Sequence, residues 1–386
     1  MEPQDFAAIN TGKCQRIQES HYTFYAFHPA PLPPTPLDLD WDLAKLLSES
    51  DRALAKLDGN GQVLPNPHLL IRPYLRQEAI LSSRIEDTHA DMEQLALFEE
   101  QGDTRETDTE EVGNYVKALE KGLERVQKIP ISSRLIKELH AILMDKVRGG
   151  ESTKQPGEFR TKQNWIGPPG CRPDKARFVP PPHQELNRLL SEWESYVHTD
   201  TRQPPLVKAA LMHYQFETIH PFIDGNGRIG RLLITLFLCE TGCLSQPLLY
   251  LSGFFDETRE DYYRLLLEVS QKGSWREWVE YFLRGVCQQA QRSLEDTQHI
   301  LDLYESYQLK LKEGKRTPQE AFRILDQVFS NPFISIARYT QRFGVSYHNA
   351  QKGVQFWIDQ GLLRERTGQQ RNRIFVADTI LNIFSR

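Results

Sequence analysis

Residues 220–231 read HPFIDGNGRIGR, a glycine-flanked turn between two helical patterns, and no other stretch constrains the fold as tightly. Before it, Leu206, Ala209, Ala210 and Phe216 recur at helical spacing behind Pro205, a residue suited to a first helical turn. After it, Ile229, Leu232, Leu233, Leu236 and Phe237 keep the same period as far as Thr241 and Gly242, where glycine can take the left-handed stop position. The turn of Gly225, Asn226 and Gly227 therefore opens a helix. Backbone N–H groups and the positive end of the helix dipole converge at such a point, which suits a phosphate. Gly225 to Gly230 also satisfy GxGxxG, but the dinucleotide fingerprint needs a strand in front of it, and here a helix precedes. Nor is there a P-loop. Gly12 and Lys13 are followed by Cys14, and Gly314 and Lys315 by Arg316, where Ser or Thr is required.

The side chains of the stretch suggest a chemistry. A hydroxyl is a poor nucleophile until a base takes its proton, and the imidazole of His220 titrates near neutral pH. Asp224 offers an oxygen ligand to Mg²⁺, which usually takes only one or two protein carboxylates beside phosphate oxygens. Its plainer role is an Asx turn or a helix cap. Gly225, Asn226 and Gly227 let backbone N–H groups come close to phosphate oxygens. Arg228, Ile229, Gly230 and Arg231 complete the first helical turn, with both arginines on one face. A base, a hard-metal carboxylate and an anion cradle within twelve residues point to phosphoryl or nucleotidyl transfer. His140 and His213 lack such neighbours and read as ordinary core or surface histidines.

The remaining signals bound the class. A chain of 386 residues has room for two or three domains and a real core. The net charge of −5 gives no global nucleic-acid signal, yet residues 316–386 hold ten Lys and Arg against five Asp and Glu. The five cysteines, Cys14, Cys171, Cys239, Cys243 and Cys287, are scattered and odd in number, which fits a reducing cytoplasm better than a disulfide framework. Cys239 and Cys243 lie one helical turn apart, but nothing completes a zinc set. No basic-then-apolar leader opens the sequence, and no run of 18 apolar residues spans a membrane.

Along the chain, residues 1–37 read as loop. Helical patterns follow at 39–57, ending at Asp58 and Gly59, then from Pro73 through Ser83, at 108–127 and at 132–147. Residues 64–67 and 101–104 read as turns or loops. Residues 149–182 are rich in Gly and Pro. Within them 164–167 and 177–179 could form a short hairpin around Pro168, Pro169 and Gly170. Helices resume near 183–197, 205–219, 228–240, 257–271 and 275–311.

The stretch 220–231 resembles the Fic signature, HPFx(D/E)GNGRxxR, at every defined position. Fic proteins move a nucleotide fragment, usually AMP from ATP, onto a protein hydroxyl. The resemblance extends through Glu111 to Tyr115, Leu139 to Leu143, Gly157 to Arg160, Trp165 to Gly167, Phe178 to Pro181, Tyr250 to Ser252, and Trp275 and Trp278, in the family's order. It implies ATP and Mg²⁺ at 224–231, with Arg228 and Arg231 on the β- and γ-phosphates and Tyr263 beside the adenine. It also implies a flap near 160–178 whose Asn164, Trp165, Ile166 and Gly167 would bind a target by strand addition.

Upstream, Ser82 and Glu86 lie four residues apart, on one helix face. With Asp87 they resemble the family's inhibitory motif, (S/T)xxxE(G/N). The resemblance implies that Glu86 pairs with Arg231 and disfavours productive ATP. Asp87 departs from the pattern where Gly or Asn is usual, which puts in question how that helix ends.

The last seventy residues resemble a winged helix-turn-helix. Helices at Pro318–Val328, Ile336–Phe343 and after Ser346 precede a wing, with Leu362 to Arg364 and Arg373 to Val376 flanking Gly368 to Gln370. The third helix would show His348, Asn349 and Lys352. With Arg364, Arg366, Arg371 and Arg373 these residues suit DNA, and the same module could instead dock a protein.

The expected fold is mainly α: a Fic-type helical bundle with a β-hairpin flap and a C-terminal winged helix. The expected divisions are an N-terminal region at 1–105 holding the inhibitory helix at about 73–90, a catalytic core at 106–300, a linker at 301–316 and the winged helix at 317–386. The expected partners are a protein hydroxyl, on a target or on the chain itself, and DNA through the tail, with no membrane; a homodimer is compatible with the pattern.

Overall fold

The computed structural model describes residues 1–386 apart from 7, 9, 19–22, 36, 38, 39, 63–67, 102–106, 148–154, 200, 201, 314–316, 369–372, 385 and 386. The expected turn at 64–67, most of the loop at 101–104 and Arg371 lie outside the described residues. Helix dominates, and the chain forms two compact units. One holds Met1–Ala55, Asn114–Leu244 and Leu251–Gln289; the other holds Lys56–Gly113, Ser245–Tyr250 and Ala290–Arg386. The long helices Trp41–Gln62 and Trp275–Glu313 contribute residues to both units.

The first unit is organised around the helix Pro205–Ile219. Thirteen of its residues are buried, including Leu206, Leu211, Tyr214 and Phe216, as expected of a helix enclosed on all sides. It packs on the helices Leu186–His198 and Asn226–Glu240 and on the strand Thr23–Pro29. The helix Ser133–Leu143 lies against Asn226–Glu240 and Leu186–His198, and Ser132 caps its start by accepting the Leu135 N–H at 3.4 Å. Trp278 donates its indole N–H to the Ala210 carbonyl at 2.9 Å.

The reading of residues 1–37 as loop is corrected. Gly12–Gln18 and Thr23–Pro29 form an antiparallel hairpin, with Gly12 opposite Pro29 and Gln18 opposite Thr23. Its apolar residues find partners far along the chain. Phe24 and Ala26 pack with Ala176 and Val179, while Phe27 packs with Phe6 and Phe178. The Phe27 N–H donates to the Val179 carbonyl at 2.8 Å, joining the hairpin to the return arm of the expected flap.

The helix that begins at Trp41 in the first unit runs on to Gln62 in the second, past its expected stop at Asp58 and Gly59. Gly61 serves packing there instead of ending the helix, since a Cβ on it would meet Leu248 at 2.6 Å. The helix expected from Pro73 begins at His68. It packs on the helix Gln319–Ser330. Arg76 anchors it, pairing with Glu99 and donating to the Ser330 carbonyl at 2.6 Å. The C-terminal part runs helix Gln319–Ser330, strand Phe333–Ser335, helices Ile336–Phe343 and Tyr347–Asp359, then strands Arg364–Glu365 and Ile374–Val376. The last strand lies between the other two, antiparallel to both.

Candidate active site

The signature forms the connection between the helices Pro205–Ile219 and Asn226–Glu240. His220 closes the first helix in the left-handed conformation, at φ 50° and ψ 61°, with its N–H on the Phe216 carbonyl at 3.0 Å. Gly225, at φ 79°, opens the second. A side chain at Gly225 would be strained by that φ and would meet the Met144 sulfur at 2.9 Å. Asn226 braces the loop from within: its Oδ1 accepts the Phe222 N–H at 2.8 Å and its Nδ2 donates to the Phe222 carbonyl at 2.9 Å.

The ring of His220 has a defined tautomer. Its Nδ1 lies 3.1 Å from the Glu217 carbonyl, which can only accept. Nδ1 therefore carries the proton, and the lone pair is left on Nε2.

Asp224 accepts the Gly225 N–H on Oδ1 at 2.6 Å, and the Arg228 guanidinium stands 3.6 Å from the same oxygen. The turn role is thus observed, and the carboxylate stays half exposed. A single carboxylate beside an anion cradle is the donor set that Mg²⁺ accepts when phosphate supplies further oxygens, so the residues fit that ion. Arg228 and Arg231 are both buried. Arg231 hydrogen-bonds the Tyr262 hydroxyl, which also meets His213 Nε2 at 2.8 Å. Gly230 lets Glu217 approach this turn closely, since a Cβ there would meet Glu217 Oε1 at 2.1 Å. Ile229 packs in the core. Tyr263 is 37% exposed, with the Arg259 guanidinium 5.9 Å over its ring.

The flap residues divide into two groups. Trp165 and Ile166 are 38% and 40% exposed, and Ile166 pairs with Phe178 as an isolated antiparallel bridge, shorter than the strands expected at 164–167 and 177–179. Gly167 packs against Cys171. Asn164 turns inward, donating to the carbonyls of His220 at 3.3 Å and Phe222 at 2.8 Å.

His140 was read from the sequence as an ordinary histidine, and the structure gives it a place. Its Nδ1 accepts the Gly157 N–H at 2.9 Å, and its Nε2 donates to the Asp224 carbonyl at 3.0 Å. Burial pushes its pKa down to about 4, so it is neutral, as these two bonds require. Nothing local could have flagged it, because its partners lie 17 and 84 residues away.

In the second unit, Ser82 is buried and Glu86 follows the last turn of the helix His68–Ile85. Asp87 takes φ 59°, its N–H bonds the Arg84 carbonyl, and the Thr88 N–H reaches the Ser83 carbonyl at 3.1 Å. This is a Schellman end, and Asp87 occupies the left-handed position where Gly or Asn is usual. Aspartate tolerates that conformation better than most residues, so the departure from the motif leaves the helix end intact.

In the C-terminal part, His348, Asn349 and Lys352 are exposed on the helix Tyr347–Asp359. The arginines are engaged: Arg364 with Asp378 at 2.8 Å, Arg366 with Glu93, and Arg373 with Glu365 at 3.5 Å. Among the described residues, no group of three or more His, Cys, Asp or Glu side chains could hold a metal ion, and no helix is long and apolar enough to cross a membrane.

Two family models match the chain, Fic/DOC family N-terminal at residues 44–124 and Fic/DOC family at 130–238. Protein adenylyltransferase Fic of Drosophila yakuba is 31% identical over 181 residues, 46% of this chain and 30% of the relative, and that of Drosophila melanogaster is 30% identical over the same shares. The match thus spans under a third of those relatives' length. A Fic family protein from Desulfovibrio desulfuricans shares the fold over 89% of this chain and 97% of its own, with TM-score 0.56 and 18% identity. Fic-1 (residues 134–508) from C. elegans does so over 68% and 74%, with TM-score 0.52 and 20% identity. The chain therefore carries a Fic domain, with the signature loop inside the matched segment 130–238 and the Fic N-terminal region ahead of it.

Proposed function

We propose that this protein is a Fic-type adenylyltransferase that moves AMP from ATP to a Ser, Thr or Tyr hydroxyl of a protein. The observation that carries the reading is the His220 ring, whose Nδ1 is held by the Glu217 carbonyl so that the neutral ring presents its lone pair on Nε2. His220 Nε2 takes the hydroxyl proton. The oxygen attacks the α-phosphorus, the bond between that phosphorus and the bridging oxygen breaks, and pyrophosphate leaves. The N–H groups opening the helix at Asn226 and Gly227, which the turn at Gly225 brings forward, and the guanidinium groups of Arg228 and Arg231 stabilise charge gathering on the leaving phosphates. Asp224 would hold Mg²⁺, which when bound neutralises triphosphate charge. Trp165, Ile166 and Gly167 would place the target strand, and Tyr263 would flank the adenine. Glu86 would restrain the reaction by pairing with Arg231.

The adenylyltransferase activity named for the Drosophila relatives supports this reading, as does the intact base; a domain that only senses nucleotide needs no proton acceptor. The C-terminal order of helix, strand, two helices and two strands supports a winged helix, with His348, Asn349 and Lys352 as its DNA contacts. Incubation with ATP labelled at the α-phosphate, followed by intact-mass measurement, tests the reading. Label retained as one AMP per acceptor is expected, and label appearing only as free AMP contradicts it.

A further inference from the structure

The carbonyls on either side of the left-handed His220 all point at one short segment, residues 160–164. The Arg160 guanidinium donates from Nε to the His220 carbonyl at 2.9 Å and from Nη2 to the Ile219 carbonyl at 3.4 Å. The Arg160 backbone N–H takes the Pro221 carbonyl at 2.9 Å. Asn164 Nδ2 reaches the His220 carbonyl at 3.3 Å and the Phe222 carbonyl at 2.8 Å. Four successive carbonyls, 219 to 222, are thus held by two residues of the flap's first arm. Arg160 also grips the second arm, donating from Nη2 to the Pro181 carbonyl at 2.6 Å.

A left-handed histidine brings its Cβ against the following carbonyl oxygen and persists only where its surroundings over-determine it. Arg160 is 2% exposed, and every side-chain acceptor it has among the described residues is a backbone carbonyl. A buried guanidinium with no carboxylate is an expensive residue for mere packing. Its flat fork of donors is what lets one side chain reach carbonyls on three segments at once.

We propose that Arg160 and Asn164 are positioning residues for His220: they fix its left-handed backbone, aim Nε2, and tie the base to both arms of the flap. The base and the edge offered by Trp165 and Ile166 then share one anchor, so a target strand seated on that edge brings its hydroxyl into register with Nε2. The consequence for catalysis rests on the reading of His220 as the base; the clamp on its tautomer does not.

The test uses the full chain labelled with ¹⁵N-histidine, with the His220 ring identified as the resonance lost in His220→Ala. Arg160→Lys keeps the charge and loses the fork. Asn164→Leu keeps the shape and is the safer variant, because Arg160 Nε still serves the His220 carbonyl and Asn226 Nδ2 the Phe222 carbonyl. The wild-type ring is expected to hold the Nδ1–H tautomer, and each variant to gain the Nε2–H form that a free imidazole prefers. AMP transfer is expected to fall about tenfold in Asn164→Leu and further in Arg160→Lys, with the Kd for ATP within about twofold of wild type. A wild-type tautomer in Asn164→Leu overturns the proposal, as does a loss of transfer matched by an equal loss of ATP binding. Wild-type transfer by His220→Ala would instead overturn the functional reading and leave the tautomer result standing by itself.

Discussion

The ring of His140 lies flat on that of Phe222, with centroids 3.7 Å apart and planes 4° from parallel. Through this stack and its bonds to Gly157 and Asp224, a fully buried histidine on one helix holds the signature loop that another helix presents. His140→Ala removes a donor and an acceptor and takes these bonds from the buried Gly157 N–H and the part-buried Asp224 carbonyl, at up to about 1–3 kcal/mol each. The expected loss is about 2–4 kcal/mol in urea unfolding, and a loss under about 0.5 kcal/mol would contradict the role.

His213 sets a pH limit on stability. Burial, with the nearby Arg231 charge adding to it, pushes its pKa down to about 3. An unfolded imidazole takes a proton near pH 6.5, so between these values the unfolded chain holds one proton more than the folded one. Stability is therefore full above about pH 6.5 and falls as pH drops through that window. The share of His213 at pH 5 relative to pH 8 is about 2 kcal/mol. Denaturant midpoints at the two pH values check it. His213→Gln should shrink the difference by about that amount, and an unchanged difference would show that His213 titrates normally in the fold.

Removing the Glu86 carboxylate should raise activity. The proposed pairing with Arg231, as a charge-assisted contact of about 1.5–3 kcal/mol, would correspond to a gain of about tenfold or more in Glu86→Gly. Intact-mass measurement of AMP incorporation over a range of ATP concentrations reads the effect. Arg231→Ala in the same background should abolish the gain. Equal activity of Glu86→Gly and wild type, both folded, would remove the inhibitory role.

Asp87 allows a milder version of the same test. Its left-handed backbone closes the helix next to Glu86. Asp87→Val places a β-branched residue there and should cost about 1–2 kcal/mol while loosening the position of Glu86. Part of the Glu86→Gly gain should appear in this variant. Unaltered stability would mean that the helix ends otherwise in solution.

The tail offers less positive charge than its composition suggests. Arg364, Arg366 and Arg373 face Asp378, Glu93 and Glu365, so that among the described residues Lys352 is the exposed cation on the helix Tyr347–Asp359 expected to contact DNA. Duplex DNA retained by the full chain at low ionic strength should then be lost in Lys352→Glu and little changed in Arg364→Ala, with a salt slope near one phosphate. No retention at low ionic strength would favour protein docking by this face.

Legibility in the sequence followed the distance between partners. The signature loop was readable because its base, carboxylate, glycines and arginines are contiguous, and the helices around it carry their own period. The N-terminal hairpin was not. Lys13, Gln15, Arg16 and Gln18 give its outer strand little apolar alternation, and Phe24, Ala26 and Phe27 pack on residues about 150 positions away. The inward turn of Asn164, the clamp of Arg160, the stack of His140 and the pairing of Arg366 with Glu93 are likewise contacts between distant segments. Residue type alone marks none of them.

The central claim is that His220 Nε2 takes the proton when AMP moves to a protein hydroxyl. The most direct test is the mass of the intact chain after incubation with ATP and Mg²⁺, comparing Glu86→Gly with Glu86→Gly carrying His220→Ala, and measuring the Kd for ATP of both by calorimetry. One added AMP on the first, none on the second and ATP affinities within about twofold are the expected results. An added AMP at similar rate on the chain without His220 would contradict the account.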